Sequence, residues 1–377
     1  MSTLPATIRQ LISEARADGT LEVRVAQIPL PRLEPGQLLV RIEAAPLHPS
    51  DLGTMLPASD LARAERIGNG PTATLRVPVF EAARPMLAAR VGKPLPIGNE
   101  GAGTVVAAGD AEGEALIGHK VAAFAGGMYT DYRVLKRAEV TPLPAGASAR
   151  DGAAISVNPL TALAMVEVMR RDGATALVHT AAASSLGQIL QRICAKDGIP
   201  LINIVRRPEQ EEILRQLGAK YVLNSQSENF MAQLRDALIE TNATIAFDAI
   251  GGGPLAGIIL TAMEQAQARR AGSYSVYGAA VKKQVYMYGR LDTTATTIPP
   301  STGMAWGISS FLLPYFLQEA GATVGQRLVA RVLDELTTTF AIHYTAEITL
   351  ESLLDPDILR RASAKSTGEK FLLRPDR

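Results

Sequence analysis

ATALVHTAAASSLGQILQRICAKDGIPLINIVRR, residues 174–207, is the stretch from which the fold is read. Thr175 to His179 is a short β-branched and apolar run, as a buried parallel strand requires. A turn of small residues follows, Thr180 to Ser185. Leu186, Ile189, Leu190, Ile193 and Cys194 then recur at the spacing of one apolar helical face. A second apolar run, Pro200 to Val205, ends in Arg206-Arg207. This is a β-turn-α-β unit whose turn lets a phosphate approach backbone N–H groups at a helix N-terminus, where the helix dipole favours negative charge.

In a dinucleotide site the residue ending the second strand meets the adenosine ribose. An acidic residue there accepts from the 2′-hydroxyl of NAD, whereas an arginine accommodates the 2′-phosphate of NADP. That position lies about twenty residues beyond the turn, and here it holds Arg206 and Arg207, with no Asp or Glu before Glu209. The residues read NADPH. The turn itself, Ala181-x-x-Ser184-x-x-Gly187, keeps only the last glycine of the usual fingerprint.

Outward from this unit, strand and helix signals alternate. Glu209 to Leu217 reads as a helix closed by Gly218, and Tyr221 to Leu223 as a strand. Phe230, Leu234 and Leu238 mark a helix, Ala243 to Asp248 a strand, Pro254 a helix start, and Gly272 to Tyr277 a fifth strand. Such alternation is a doubly wound parallel sheet. Before it, Asn158 reads as an N-cap with Pro159 at the first helical position.

The ends of the chain are β-rich. Leu21 to Val25 and Leu38 to Glu43 are strand-like, Gly98 to Gly109 reads as a Gly-rich strand pair, and Gly118 to Phe124 as another strand. The tail, Ile342 to Arg377, returns to β character with one helix from Pro356 to Ala364. Residues 57–94 break the rhythm, with five arginines and no clean period, and read as an insertion, part helix and part loop.

A chain of 377 residues with 47% hydrophobic and 20% charged residues implies two globular domains. Lys plus Arg (38) and Asp plus Glu (37) nearly cancel, which argues against a nucleic-acid footprint. A single cysteine, Cys194, excludes an intrachain disulfide and fits a reducing compartment, so a cytoplasmic location is expected. No secretory signal and no membrane span are visible.

Several segments together resemble the zinc-less branch of the medium-chain dehydrogenase/reductase superfamily, the quinone oxidoreductases and 2-enoyl thioester reductases. They are Pro46-Leu-His-Pro-Ser-Asp51, Gly98-Asn-Glu-Gly-Ala-Gly-Thr104, Gly126-Gly-Met-Tyr-Thr-Asp-Tyr132, Asn158-Pro-Leu-Thr161, Phe247-Asp-Ala-Ile-Gly-Gly252, Val276-Tyr-Gly278 and Ser366-Thr-Gly-Glu-Lys-Phe-Leu-Leu-Arg-Pro375. The resemblance implies an α/β fold with a GroES-like catalytic domain, residues 1–155 and 328–377, around a Rossmann-type NADPH-binding domain, residues 156–327. It also implies a substrate cleft at the carboxyl ends of the strands and a homodimer paired through the cofactor domains.

For the site, the resemblance points to Thr161 near the nicotinamide and to Ser184, Ser185, Leu186 and Gly187 at the pyrophosphate. Arg206 and Arg207 would hold the 2′-phosphate, with Ser225 and Tyr277 near the adenine and ribose. Where zinc-bearing members place cysteine and histidine ligands, this chain has His48 and Asn99, too few donors for a three-ligand metal site. The expected chemistry is therefore metal-free hydride transfer to a quinone or an activated enone or enal, with Tyr129 or His48 as the proton source. Enoyl reductases carry an acid tyrosine in a Tyr-Gly pair just after the Pro-Ser-Asp turn, where this chain reads Gly53-Thr-Met-Leu-Pro57. The alternatives are an enoyl-CoA or enoyl-ACP reductase and, in another class, a low-turnover NADPH-binding structural or RNA-binding protein. The insertion reads as a solvated face or as a lid over the substrate site.

Overall fold

A computed structural model describes residues 4–272, 275–364 and 369–377. The chain divides into two compact units, Met1–Val157 with Ala341–Arg377, and Asn158–Phe340.

In the second unit six parallel strands run in the order third-second-first-fourth-fifth-sixth: Leu177–Thr180, Leu201–Val205, Tyr221–Asn224, Ile245–Asp248, Lys283–Met287 and Trp306–Ser310 as first to sixth. That order reverses between the first and fourth strands, as in doubly wound dinucleotide-binding sheets. The first, second and fourth strands are buried along their whole lengths, which is why they read as continuous apolar runs. Ala176, Val178, Ile202, Ile204, Ala246 and Val285 pack on Leu234, Leu238, Ile259, Leu260 and Met263 from helices Phe230–Thr241 and Leu255–Ala271.

Three sequence expectations need correction here. Gly272 to Tyr277 is not the fifth strand: the preceding helix runs to Ala271, Val276 and Tyr277 lie in a turn, and residues 273–274 fall outside the described set. The true fifth strand begins at Lys283, whose charged nitrogen is buried against Glu264. Asn158 is not the N-cap, because its helix, Val157–Arg171, starts one residue earlier. The second crossing between units falls at Ala341 rather than 328, since helix Ala322–Asp334 buries Leu328 and Val332 and its Arg331 forks onto Asp197 at 2.8 and 2.7 Å.

The first unit is built from two antiparallel-dominated sheets. In one, strand Gln37–Pro46 pairs with Gly101–Ala108, Tyr132–Lys136 and the C-terminal Phe371–Leu373. Gly98 to Gly109 is therefore one strand, not a pair. In the other, the strands run Glu65–Ile67, Thr74–Pro78, Thr20–Pro29, Thr7–Ala15, Leu95–Pro96. Residues 57–94 thus extend this sheet. Leu75 and Val77 point into the core while Arg76 points out and pairs with Glu22 at 2.7 Å, the period-2 pattern of a half-buried strand. Arg90 donates to the Thr54 carbonyl at 3.0 Å. Strands Glu65–Ile67 and Thr74–Pro78 form the edge of this sheet. Among the described residues no helix is long and apolar enough to cross a membrane.

Candidate active site

In the second unit the turn after the first strand is built by its own side chains. Ala181 sits at φ +50°, a left-handed conformation that costs a non-glycine residue about 1 kcal/mol or more. Ser184 caps helix Ser185–Asp197, its hydroxyl accepting from the Gly187 N–H at 3.2 Å. The N–H groups of Ser185 and Leu186 have no partner within the helix by its geometry and point out of its N-terminus. Asn158 donates to the Ser185 hydroxyl at 3.3 Å, and Thr161, one helical turn further along, is buried in the same helix. Beside the turn, Thr180 donates to Asp248 at 2.6 Å and accepts from the Ala249 N–H at 2.8 Å, while Asp248 also accepts from Ile250 and Gly251. These bonds fix the crevice where the strand order reverses.

Gly187 accounts for the one glycine the turn retains. A Cβ there would lie 2.1 Å from the Ala182 carbonyl oxygen, so the helix packs against the turn backbone itself. At the end of the second strand Val205 is buried, and Arg206 and Arg207 are exposed with no ion pair to either guanidinium among the described residues. Ser225 donates its N–H to the Val205 carbonyl at 2.8 Å, which puts it beside them. These positions fit a phosphorylated dinucleotide: free N–H groups at a helix N-terminus and unpaired guanidinium groups at the ribose end. Tyr277 does not join them as a strand residue. It is 74% exposed in a turn, and the tyrosine that directly follows the fifth strand is Tyr288.

The half-buried Tyr288 and the buried His179 form a pair that sequence reasoning left without a role. Their rings stack at 5.7 Å, and the tyrosine hydroxyl lies 2.7 Å from His179 Nε2. Burial pushes this imidazole down to about 3, and its Nδ1 has no partner among the described residues. The available signal was a second Tyr-Gly pair, Tyr288-Gly289, following an apolar run.

In the first unit, His48 caps the short helix Pro49–Met55, with its N–H bound to Asp51 at 2.8 Å. Its Nε2 lies 2.7 Å from Glu100 Oε1 and its Nδ1 3.0 Å from Lys370 Nζ. Glu100 Oε2 accepts from the N–H groups of Ser156 and Val157 at 2.8 and 3.2 Å. Burial holds His48 down at about 3, raises Glu100 to about 7 and lowers Lys370 to about 8. A histidine so desolvated stays neutral and is not itself a source of a proton at neutral pH. Glu100 and Lys370, both inside quoted motifs, were missed because each motif shows one residue and neither shows the partner.

Tyr129 is a correction of a different kind. It is fully buried, and its hydroxyl donates to the Pro46 carbonyl at 2.8 Å. Burial and the nearby Asp51 carboxylate raise its pKa far above the ordinary phenol value. Gly98, at φ +103°, lies against it, since a Cβ there would stand 2.4 Å from the tyrosine ring. Tyr129 is a core residue whose hydroxyl is engaged by the Pro46 carbonyl. Asn99, for its part, donates its N–H to Asp51 and its side-chain amide to Ser50. Among the described residues no three His, Cys, Asp or Glu side chains group so as to hold a metal ion.

Comparison with known proteins bears on this geometry. Residues 34–145 match the alcohol dehydrogenase GroES-like domain family. A quinone oxidoreductase of Pseudomonas aeruginosa is 29% identical over 164 residues, 42% of this chain and 50% of that protein. The mitochondrial enoyl-[acyl-carrier-protein] reductase of Mus musculus is 28% identical over 229 residues, 59% of this chain and 54% of that protein. The chain thus spans about half the length of these curated relatives. A solved structure from Mesorhizobium loti, provisionally named an NADPH:quinone reductase, superposes with a TM-score of 0.72 at 25% identity, covering 99% of this chain and 100% of the other.

Proposed function

The chain belongs to the medium-chain dehydrogenase/reductase superfamily, in its branch of quinone oxidoreductases and enoyl thioester reductases, and from that membership we propose an NADPH-dependent reductase of quinones or of activated enones and enals, working without a metal ion. The observation that carries the cofactor choice is the pair Arg206 and Arg207, exposed and without ion pairs among the described residues, at the end of the second parallel strand.

In this reading the N–H groups of Ser185 and Leu186 and the Ser184 cap hold the pyrophosphate, and Gly187 allows that turn to close. The guanidinium forks of Arg206 and Arg207 match the oxygens of a 2′-phosphate, with Ser225 beside them. Thr161 orients the nicotinamide end. Bound there, the reduced nicotinamide supplies hydride. An acceptor conjugated to its own carbonyl stores the resulting charge on oxygen, so the residues need only bind, exclude water and deliver one proton. A simple alcohol would instead require an alkoxide stabilised by a Lewis acid. Homodimerisation is part of the proposal: Trp306–Ser310 is an edge strand of the parallel sheet, with Met304 and Tyr315 exposed near it in sequence.

The second reading, an enoyl thioester reductase, is favoured by the similarity to the mouse enoyl reductase. One experiment separates the readings: NADPH oxidation by the purified protein against quinones, enones, enals and enoyl thioesters, before and after exhaustive chelation. Turnover of quinones or enones that survives chelation is expected. Turnover confined to enoyl thioesters selects the second reading, and no turnover with any acceptor leaves a low-turnover NADPH-binding protein.

A further inference from the structure

We propose that Tyr288 is the wall on which the cofactor's nicotinamide ring packs, and that His179 is a positioning residue that holds its phenol there. This rests on the dinucleotide reading above. It concerns one compact unit, since both residues and the pyrophosphate turn lie between Asn158 and Phe340.

The strand order places the contact. Arg206 and Arg207 follow the second strand, on one side of the first, and the fourth and fifth strands lie on the other side. A dinucleotide with its pyrophosphate at the turn after the first strand and its 2′-phosphate at the end of the second carries its other half over the ends of the fourth and fifth. There two chain segments meet. Asp248, the last residue of the fourth strand, accepts the Tyr288 N–H on its carbonyl at 2.9 Å, and the Ala249 carbonyl accepts from Leu291 at 3.2 Å. A Cβ on Gly289 would stand 2.6 Å from the Ala249 carbonyl oxygen, so the two backbones touch. The Asp248 carboxylate also accepts the hydroxyl of Thr180, which closes the first strand, at 2.6 Å. Tyr288 is thereby tied to the start of the pyrophosphate turn.

Alternation along the strand sends Tyr288 to the face that carries His179. His179, Phe247 and Tyr286 are register partners across the first, fourth and fifth strands, and Phe247 stacks on Tyr286 at 5.2 Å. Tyr288, two residues beyond Tyr286, keeps that side but stands past the strand end, half-buried, with the exposed Arg290 after it. Its phenol oxygen lies 2.7 Å from His179 Nε2, with the two rings 13° from parallel. His179 is 0% exposed, and its Nδ1 has no partner among the described residues. Buried N–H groups are left orphaned more rarely than acceptors, so Nδ1 is the bare acceptor and Nε2–H donates to the phenol oxygen. Burial holds the imidazole down at about 3 and raises the phenol, so both partners stay neutral and the bond persists at neutral pH. A valine would suit this buried strand position without an unpaired nitrogen. What the imidazole adds is a fixed orientation for the phenol ring, an apolar surface where a flat heteroaromatic ring arrives.

Titration calorimetry with two probes tests this without turnover: NADPH, and adenosine 2′,5′-bisphosphate, which carries the 2′-phosphate end and no nicotinamide. Tyr288→Ala should bind NADPH about tenfold more weakly, the scale of a lost aromatic contact together with its burial, and should bind the bisphosphate as the parent protein does. His179→Val should weaken NADPH in the same sense and by less. His179→Gln should restore it, because a side-chain amide N–H replaces Nε2–H as the donor. Parent-like NADPH affinity in Tyr288→Ala, or a parallel loss of both probes, overturns the proposal while the dinucleotide reading stands. Equal NADPH affinities in His179→Val and His179→Gln overturn the positioning role. If Tyr288→Ala does not fold, the two His179 variants still decide. A parent protein that binds neither probe removes the dinucleotide reading and the proposal together.

Discussion

Gly187→Ala should damage cofactor binding out of proportion to its effect on stability. The added Cβ would stand 2.1 Å from the Ala182 carbonyl oxygen and 2.6 Å from its carbon, both backbone atoms that cannot rotate away. An ordinary contact is about 3.5 Å, so turn and helix must part by roughly 1 Å. Overpacking of this kind costs about 1–3 kcal/mol, which lowers the melting temperature by about 2–4 °C per kcal/mol for a domain of this size. Gly198→Ala is the matched control. That residue caps the other end of the same helix at φ +67°, and an added methyl there would meet nothing within 4 Å, so its cost is backbone strain alone, about 1–2 kcal/mol. The two variants should lose similar stability by calorimetry. Only Gly187→Ala displaces the N–H groups of Ser185 and Leu186, and a charge-assisted hydrogen bond is worth about 1.5–3 kcal/mol. Titration calorimetry should therefore show NADPH bound at least about tenfold more weakly by Gly187→Ala and unchanged in Gly198→Ala. Equal affinity in the two variants would refute the assignment of this turn to the pyrophosphate.

Arg206→Ala should narrow the preference for NADPH over NADH by about 1–3 kcal/mol, read as the ratio of dissociation constants, and equal constants in the parent protein would contradict the cofactor reading. Tyr129→Phe leaves the buried Pro46 carbonyl without its donor, so stability should fall by about 1–3 kcal/mol while the pH profile of turnover keeps its shape; a lost acidic or basic limb would return Tyr129 to the chemistry. His179 is held neutral in the folded chain, with a pKa pushed down from 6.5 to about 3. A depressed folded value contributes stability that is present above pH 6.5 and lost as pH falls toward 3, with a slope near 1.4 kcal/mol per pH unit for one proton. His179→Gln should flatten the acid limb of a denaturant-melting series, and an unchanged slope would mean that the imidazole is not the group resisting protonation.

The parallel sheet was legible because its first, second and fourth strands are buried on both faces and declare themselves as unbroken apolar runs. The fifth was not. Gly272 to Gly278 and Lys283 to Gly289 both carry Val, Tyr and a closing Tyr-Gly pair, and the true strand opens on a lysine. A charge at a strand's first buried position looks disqualifying until Glu264, nineteen residues away on the preceding helix, is seen to neutralise it. Strand Thr7–Ala15 was missed for the same reason. Its Gln10, Ser13 and Glu14 are buried and break the alternation, and their partners are the Gly127 carbonyl, the Met55 carbonyl, and Arg16 with Arg24.

The two candidate clusters, one in each unit, differ in the same way. Everything assigned to the pyrophosphate and the 2′-phosphate lies within residues 184–207, inside one β-turn-α-β unit, where local geometry dictates the arrangement and a sequence suffices to read it. The cluster in the first unit is assembled across the chain: His48 meets Glu100 across 52 residues and Lys370 across 322. Taken alone, His48 looks like an acid, because an isolated imidazole titrates near neutrality. Enclosed between a carboxylate and an ammonium and stripped of water, it becomes the neutral link between them, and the capacity to give up a proton near neutral pH passes to its neighbours. Which residue of such a cluster acts is set by burial and by the charge of its partners, and so by contacts that only the folded chain brings together.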